Sequence, residues 1–128
     1  GNCLSINDAF LRLSSIAQIK SAYYIGYFFE PKFPLFSNDW HCWVSTLTQR
    51  GCENWDIAHQ IKRGVKDIKP GLNPVPGIRF AMGVGRDLVF NLPFAGVNIP
   101  HFCEPRWIFE TGTSERCGVR VTAEEISL

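Results

Sequence analysis

The chain has no Cys-x-x-Cys pair among its five cysteines, which excludes the common zinc-ribbon and thioredoxin spacings. It has no excess of basic charge. Thirteen Lys and Arg balance twelve Asp and Glu, for a net charge of +1. General nucleic-acid binding through a basic footprint is therefore not expected. No run of like charges exceeds two residues, so polybasic attraction to a membrane surface is not expected either. The longest near-apolar stretch, Ala22 to Phe29, is far too short to span a bilayer. Gly83-Val84-Gly85-Arg86-Asp87 lacks the third glycine of a dinucleotide cradle and the Lys-Ser/Thr of a P-loop. It reads as a β-turn, and no cofactor is expected.

What is present is apolar and aromatic. Hydrophobic residues make up 45% of the 128 residues and charged residues 20%, the balance of a globular chain. Ten Phe and four Trp supply a densely packed interior or an aromatic contact surface. The length suits one domain, 1–128. The chain opens Gly1-Asn2-Cys3 without a Met, as expected of a mature, processed protein or a trimmed one.

Cys3, Cys42, Cys52, Cys103 and Cys117 are spread along the whole chain. Wide spacing suits disulfides that close long loops in an oxidising compartment, so a secreted, extracellular protein is expected. One thiol is left over, and the connectivity is open. Cys3 with Cys117 is the first candidate pair, because the termini of compact domains often lie close together. The alternative is an intracellular interaction domain whose thiols stay reduced.

Periodicity predicts a helix over Ser5 to Lys20, with Ile6, Ala9, Phe10, Leu13, Ile16 and Ala17 as its apolar stripe. A second helix is expected over Asn54 to Ile68, capped by Asn54, with Ile61 central in its buried face. Leu13 and Ile61 are both expected against a sheet. Ser21 to Glu30 and Trp40 to Thr48 read as strands. Further strands are expected over Ile78 to Met82, Asp87 to Leu92, Arg106 to Thr111 and Cys117 to Thr122. Trp107 to Phe109 and Val119 to Val121 are read as the two arms of a hairpin. Helices come early and strands late, without βαβ alternation. The fold class is α+β, with two helices in the N-terminal half packed on a mainly antiparallel sheet.

His41, Cys42, Cys52 and His59 offer metal-ligand chemistry, but their spacing fits no common structural zinc pattern, and no metal is expected. A Cys nucleophile paired with His is conceivable, although disulfide bonding would remove the thiolate. For acid–base work His101 is the candidate, with Arg86 and Glu104 as companions. Trp40, Trp43, Phe94 and Trp107 are the candidate binding residues, since aromatics give contact area at low entropic cost.

Gly85-Arg86-Asp87-Leu88-Val89-Phe90-Asn91, then Ala95-Gly96-Val97 and His101, resembles the core of the secreted fungal guanyl-specific ribonucleases. The resemblance implies His101 as the catalytic His and Arg86 as the catalytic Arg. Arg86 and Asp87 stand in reverse order to that family. Its catalytic Glu has no clear counterpart, Asp67 being a poor substitute. Gly51-Cys52-Glu53-Asn54-Trp55-Asp56-Ile57-Ala58, with the later Gly112-Thr113 to Cys117-Gly118-Val119, resembles killer-toxin-like secreted fungal effectors. Both resemblances imply a small secreted protein used against another organism. The leading expectation is a non-enzymatic effector or toxin-like protein that binds a protein or carbohydrate partner. A ribonuclease using His101 is the alternative.

Overall fold

The computed structural model describes residues 3–32, 34–37, 40–71, 73–101 and 105–124. Cys103 and Glu104 lie outside the described residues. The fold is a mixture of two helices and antiparallel sheets, as the α+β reading anticipates. Its centre is a four-stranded antiparallel sheet in the order β4-β3-β1-β5. These strands are β1 (Lys20–Phe29), β3 (Trp40–Thr48), β4 (Gly51–Trp55) and β5 (Ile78–Val84). Helix α1 (Cys3–Ile16) packs on β1 and β3 and touches the short helix α2 (Ile57–Lys62).

Alternation along β1 and β3 sends Tyr23, Ile25, Cys42 and Val44 to one face, where they are almost completely buried. Cys3, Leu4, Phe10 and Leu11 of α1 pack on that cluster, and Trp40 packs beside them. The helix therefore presents a face different from the expected stripe. Leu13 is 63% exposed and Ile16 79%, while Asn7 and Ser14 are buried. The physical reason is a polar anchor. Asn7 Nδ2 donates to the Cys42 carbonyl at 2.7 Å, and a buried amide that finds such a partner outweighs an apolar side chain left in water.

Helix α1 ends earlier than its periodicity suggests. Gln18 takes a left-handed conformation with φ 57°. Ile19 N–H donates to Ser14 C=O at 2.8 Å and Gln18 N–H to Ser15 C=O at 3.0 Å. This is the paired closure that stops a helix and sends the chain into β1.

At Gly26 the register between β1 and β5 shifts. A Cβ at Gly26 would overlap the carbonyl oxygen of Phe80, so the close approach of the two backbones requires glycine there.

The second helix also differs from expectation. Asn54 is a strand residue in β4, and α2 spans only Ile57–Lys62. Asp56 is its N-cap, and its carboxylate accepts from His59 N–H at 3.4 Å. Ile61 is 51% exposed. The segment after α2 is tied down instead by Gln60. Its Nε2 donates to Lys69 C=O at 2.8 Å, and its Oε1 accepts from Lys69 N–H at 3.0 Å.

The remaining strands form three separate antiparallel pairs. Strand β2 (Leu35–Ser37) pairs with β10 (Val121–Ala123), and β6 (Leu88–Asn91) with β7 (Gly96–Ile99). Strand β8 (Arg106–Ile108) pairs with β9 (Ser114–Arg116). The hairpin expected near Gly112 forms, but its second arm is Ser114–Arg116 and not Val119 to Val121.

Candidate active site

Strand β4 pairs with β3 only as far as Trp55 opposite Val44. Beyond that point the chain turns into α2, and Asp56 stands beside the unpaired flank of β3 at His41. His41 is 4% exposed and Asp56 5%. His41 Nε2 lies 3.0 and 3.1 Å from the two carboxylate oxygens. Asp56 also accepts from Arg79 Nε of β5 at 2.6 Å, and Arg79 Nη2 forms a second ion pair with it. Arg79 Nη2 lies 2.8 Å from His59 Nδ1, which in turn is 3.2 Å from Asp56. One ring nitrogen cannot both donate to the carboxylate and accept from the guanidinium. The shorter contact and the permanent charge of Arg79 favour acceptance, which places the His59 proton on Nε2.

Aromatic packing holds the cluster. The His41 and His59 rings stack at 4.2 Å, Trp43 stacks on His41 at 6.2 Å, and Phe28 meets His59 edge-on at 5.2 Å. The Arg79 guanidinium lies 4.8 Å above the Phe28 ring. Burial disfavours a charged Asp56, but the hydrogen bonds from the His41 ring and the His59 backbone N–H and the charge of Arg79 win. Its carboxyl is held far below the ordinary range. Burial likewise opposes a charge on His41, yet Asp56 and Cys3 together raise its pKa.

The third partner of His41 is the Cys3 thiol, in hydrogen-bond contact with the ring. With Nε2 committed to Asp56, Nδ1 is the nitrogen open to the thiol. Cys3 is half-buried in the first turn of α1, where helix N–H groups lack intrahelical partners and favour negative charge. Its sulfur also contacts the fully buried Cys42 thiol. The two thiols hydrogen-bond, so the protonation of one bears on that of the other. The shared bond lowers Cys42, with Tyr23 and Asn7 adding to it against burial; Asn7 Nδ2 is 3.3 Å from Cys42 Sγ. The same bond and burial raise Cys3, while His41 pulls it down.

His41, Asp56 and His59 bring three ligand-type atoms within 4.8 Å of one another. Arg79 already engages the Asp56 carboxylate and His59 Nδ1 that a metal would use. The group is thus an ion-pair network built around a guanidinium.

The residues singled out from sequence fall elsewhere. The Arg86 guanidinium pairs with Asp8 and, at 3.3 Å, with Asp87. The His101 ring lies 5.9 Å from Tyr23, and burial and the charge of Arg86 lower its pKa. Trp40 is half-buried, with Arg116 6.0 Å from its ring. Trp43 is buried and lines a cavity of about 260 Å³ with Asn54, Asp56, Gly71, Asn73 and Arg79. Phe94 is exposed by half and Trp107 by two-thirds. Cys3, Cys42, Cys52 and Cys117 are free thiols; Cys52 is exposed, 2.8 Å from the Ser45 hydroxyl.

Sequence reasoning missed Asp56 and Arg79 and weighed His41 only as a metal ligand. One signal bears on Asp56: it stands directly before the Ile57-Ala58 start of the helical run, at the N-cap of α2. Comparison with known proteins finds no match to a family model, to a curated protein or to a solved structure.

Proposed function

We propose that this chain is a thiol-dependent acyl-transfer or hydrolytic enzyme, with Cys3 as nucleophile, His41 as general base and Asp56 as the group that orients and charges His41. The observation that carries this reading is the unbroken contact from the Cys3 thiol through the His41 ring to a buried Asp56. A weak nucleophile, an adjacent base and a third group fixing the base is the general pattern of an activated nucleophile. Asp56 holds the His41 proton on Nε2, which leaves Nδ1 free to accept from Cys3. The thiolate attacks an acyl carbon, and the oxyanion develops at the N-terminal end of α1, whose dipole favours negative charge. Collapse expels the leaving group, which takes the proton from His41, and Cys3 is left acylated. Water or an amine then discharges it.

Arg79 and His59 support the reaction without touching it. Arg79 balances the charge of Asp56, so that His41 is not the carboxylate's only cation. A secreted protein that binds a protein or carbohydrate partner remains a second proposal, because Phe94 and Trp107 are large apolar side chains left in water.

The test is acylation by p-nitrophenyl acetate, read by mass spectrometry of the Cys3 peptide. An adduct of about 42 Da on Cys3 that is lost in His41→Ala is expected. Acylation absent from Cys3, or indifferent to His41, overturns the proposal.

A further inference from the structure

We propose that Cys42 is a resolving cysteine, and that peroxide switches the site off by joining Cys3 and Cys42 in a disulfide. This rests on the reading of Cys3 as the working thiol and adds its regulation. Two features of the packing carry it. Cys3, at the start of α1, packs on the buried cluster that holds Cys42 in the middle of β3, within hydrogen-bond reach of its thiol. Their accessibility differs sharply: Cys42 is 0% exposed, whereas Cys3 is half-buried. An oxidant therefore meets Cys3 first.

The chemistry balances with hydrogen peroxide as the oxidant. The Cys3 thiolate attacks one peroxide oxygen and breaks the O–O bond. Cys3 becomes a sulfenic acid and the departing hydroxide takes a proton to become water. Cys42 then attacks the Cys3 sulfur, forms the S–S bond and expels a second hydroxide, which leaves as water with the remaining proton. Two thiols lose two electrons in total, and one peroxide is reduced to two waters. A dithiol reductant reverses the step by thiol–disulfide exchange.

Asn7 and Tyr23 adapt Cys42 to this role. Asn7 Nδ2 touches both the Cys42 carbonyl and its sulfur, at 2.7 and 3.3 Å, and so holds the side chain against Cys3. Hydrogen bonds from Asn7 and Tyr23 favour the thiolate that must attack the sulfenic acid. Among the described residues, Cys52 and Cys117 are the competing thiols. Cys52 is exposed and is engaged by Ser45 at the far end of the β3–β4 pair.

The switch is tested by treating the full chain with one equivalent of hydrogen peroxide and mapping its peptides. The expected product is about 2 Da lighter and carries a Cys3–Cys42 bridge that dithiothreitol removes. Its Cys3 alkylation by iodoacetamide falls at least about tenfold and recovers on reduction. In Cys42→Ala, and in Cys42→Ser as a second variant, the same treatment should instead stop at the Cys3 sulfenic acid, about 16 Da heavier and trapped by dimedone. A bridge from Cys3 to Cys52, Cys103 or Cys117 in the wild-type protein overturns the proposal, as does a lighter product without Cys3. The wild-type map decides this even if a variant fails to fold. In His41→Ala the bridge still forms, more slowly, while acylation is abolished, so failure of the enzymatic reading and failure of the switch give different results.

Discussion

His41 Nε2 faces both carboxylate oxygens of Asp56, at 3.0 and 3.1 Å, with neither residue more than 5% exposed. Such a pair is costly to desolvate and costly to break. Asp56→Asn keeps the shape and the helix cap but leaves Arg79 without its counter-charge. We expect a loss of about 3–5 kcal/mol in urea unfolding, the usual penalty for an uncompensated buried charge. A loss under 1 kcal/mol, the range of exposed pairs, would contradict the network.

The pH dependence of stability follows from the same pair. The Asp56 pKa is depressed in the fold, so its contribution is present above the ordinary value of 3.8 and is lost as pH falls through the folded value. The His41 pKa is raised, so its contribution is full below the ordinary 6.5 and is lost as pH rises through the folded value. Stability contributed by the pair is thus greatest between those two values. Melting temperatures measured from this range up into alkaline solution should lose the alkaline decline in His41→Ala. An unchanged alkaline limb would show that His41 does not report on folding.

Gln18 sits in the left-handed region at the end of α1, where glycine is free of strain. Gln18→Gly is expected to stabilise by about 0.5–1 kcal/mol, the side chain's strain outweighing the added backbone entropy. Destabilisation in urea unfolding would mean that Gln18 makes contacts beyond its backbone turn.

Gly26→Ala places a methyl group on the Phe80 carbonyl and forces β5 away from β1. A loss of about 1–3 kcal/mol is expected from overpacking of this kind. The amide protons of Ile78–Val84 should exchange faster than those of β3. Uniform exchange across the sheet would place the strain elsewhere.

The long strands were legible because period two is a strong signal over Trp40 to Thr48, and β3 has those bounds. The phase of α1 was not legible. Apolar residues occur on more than one side of it, and a single polar contact, Asn7 to Cys42, selects the buried face. Leu13→Ala is accordingly expected to lie within about 0.5 kcal/mol of wild type, as surface changes do. The extent of α2 was hidden because Gln60 and Lys69 hold the following segment by hydrogen bonds that periodicity does not register. The site was partly visible as residue types. Its assembly needed the β4–α2 junction, which carries Asp56 to His41 across the sheet, and β5, which supplies Arg79.

Alkylation of Cys3 by iodoacetamide, followed by peptide mass spectrometry from acid to alkaline pH, tests the central claim without knowledge of the substrate. His41 lies against the Cys3 thiol, ready to accept its proton, and pulls its pKa down against the Cys42 hydrogen bond and burial, which together raise it. His41 should therefore make Cys3 reactive at neutral pH, and His41→Ala should lower that rate at least about tenfold while sparing the rate at high pH. A Cys3 that reacts only at alkaline pH, at the same rate with and without His41, would contradict the Cys3–His41–Asp56 assignment.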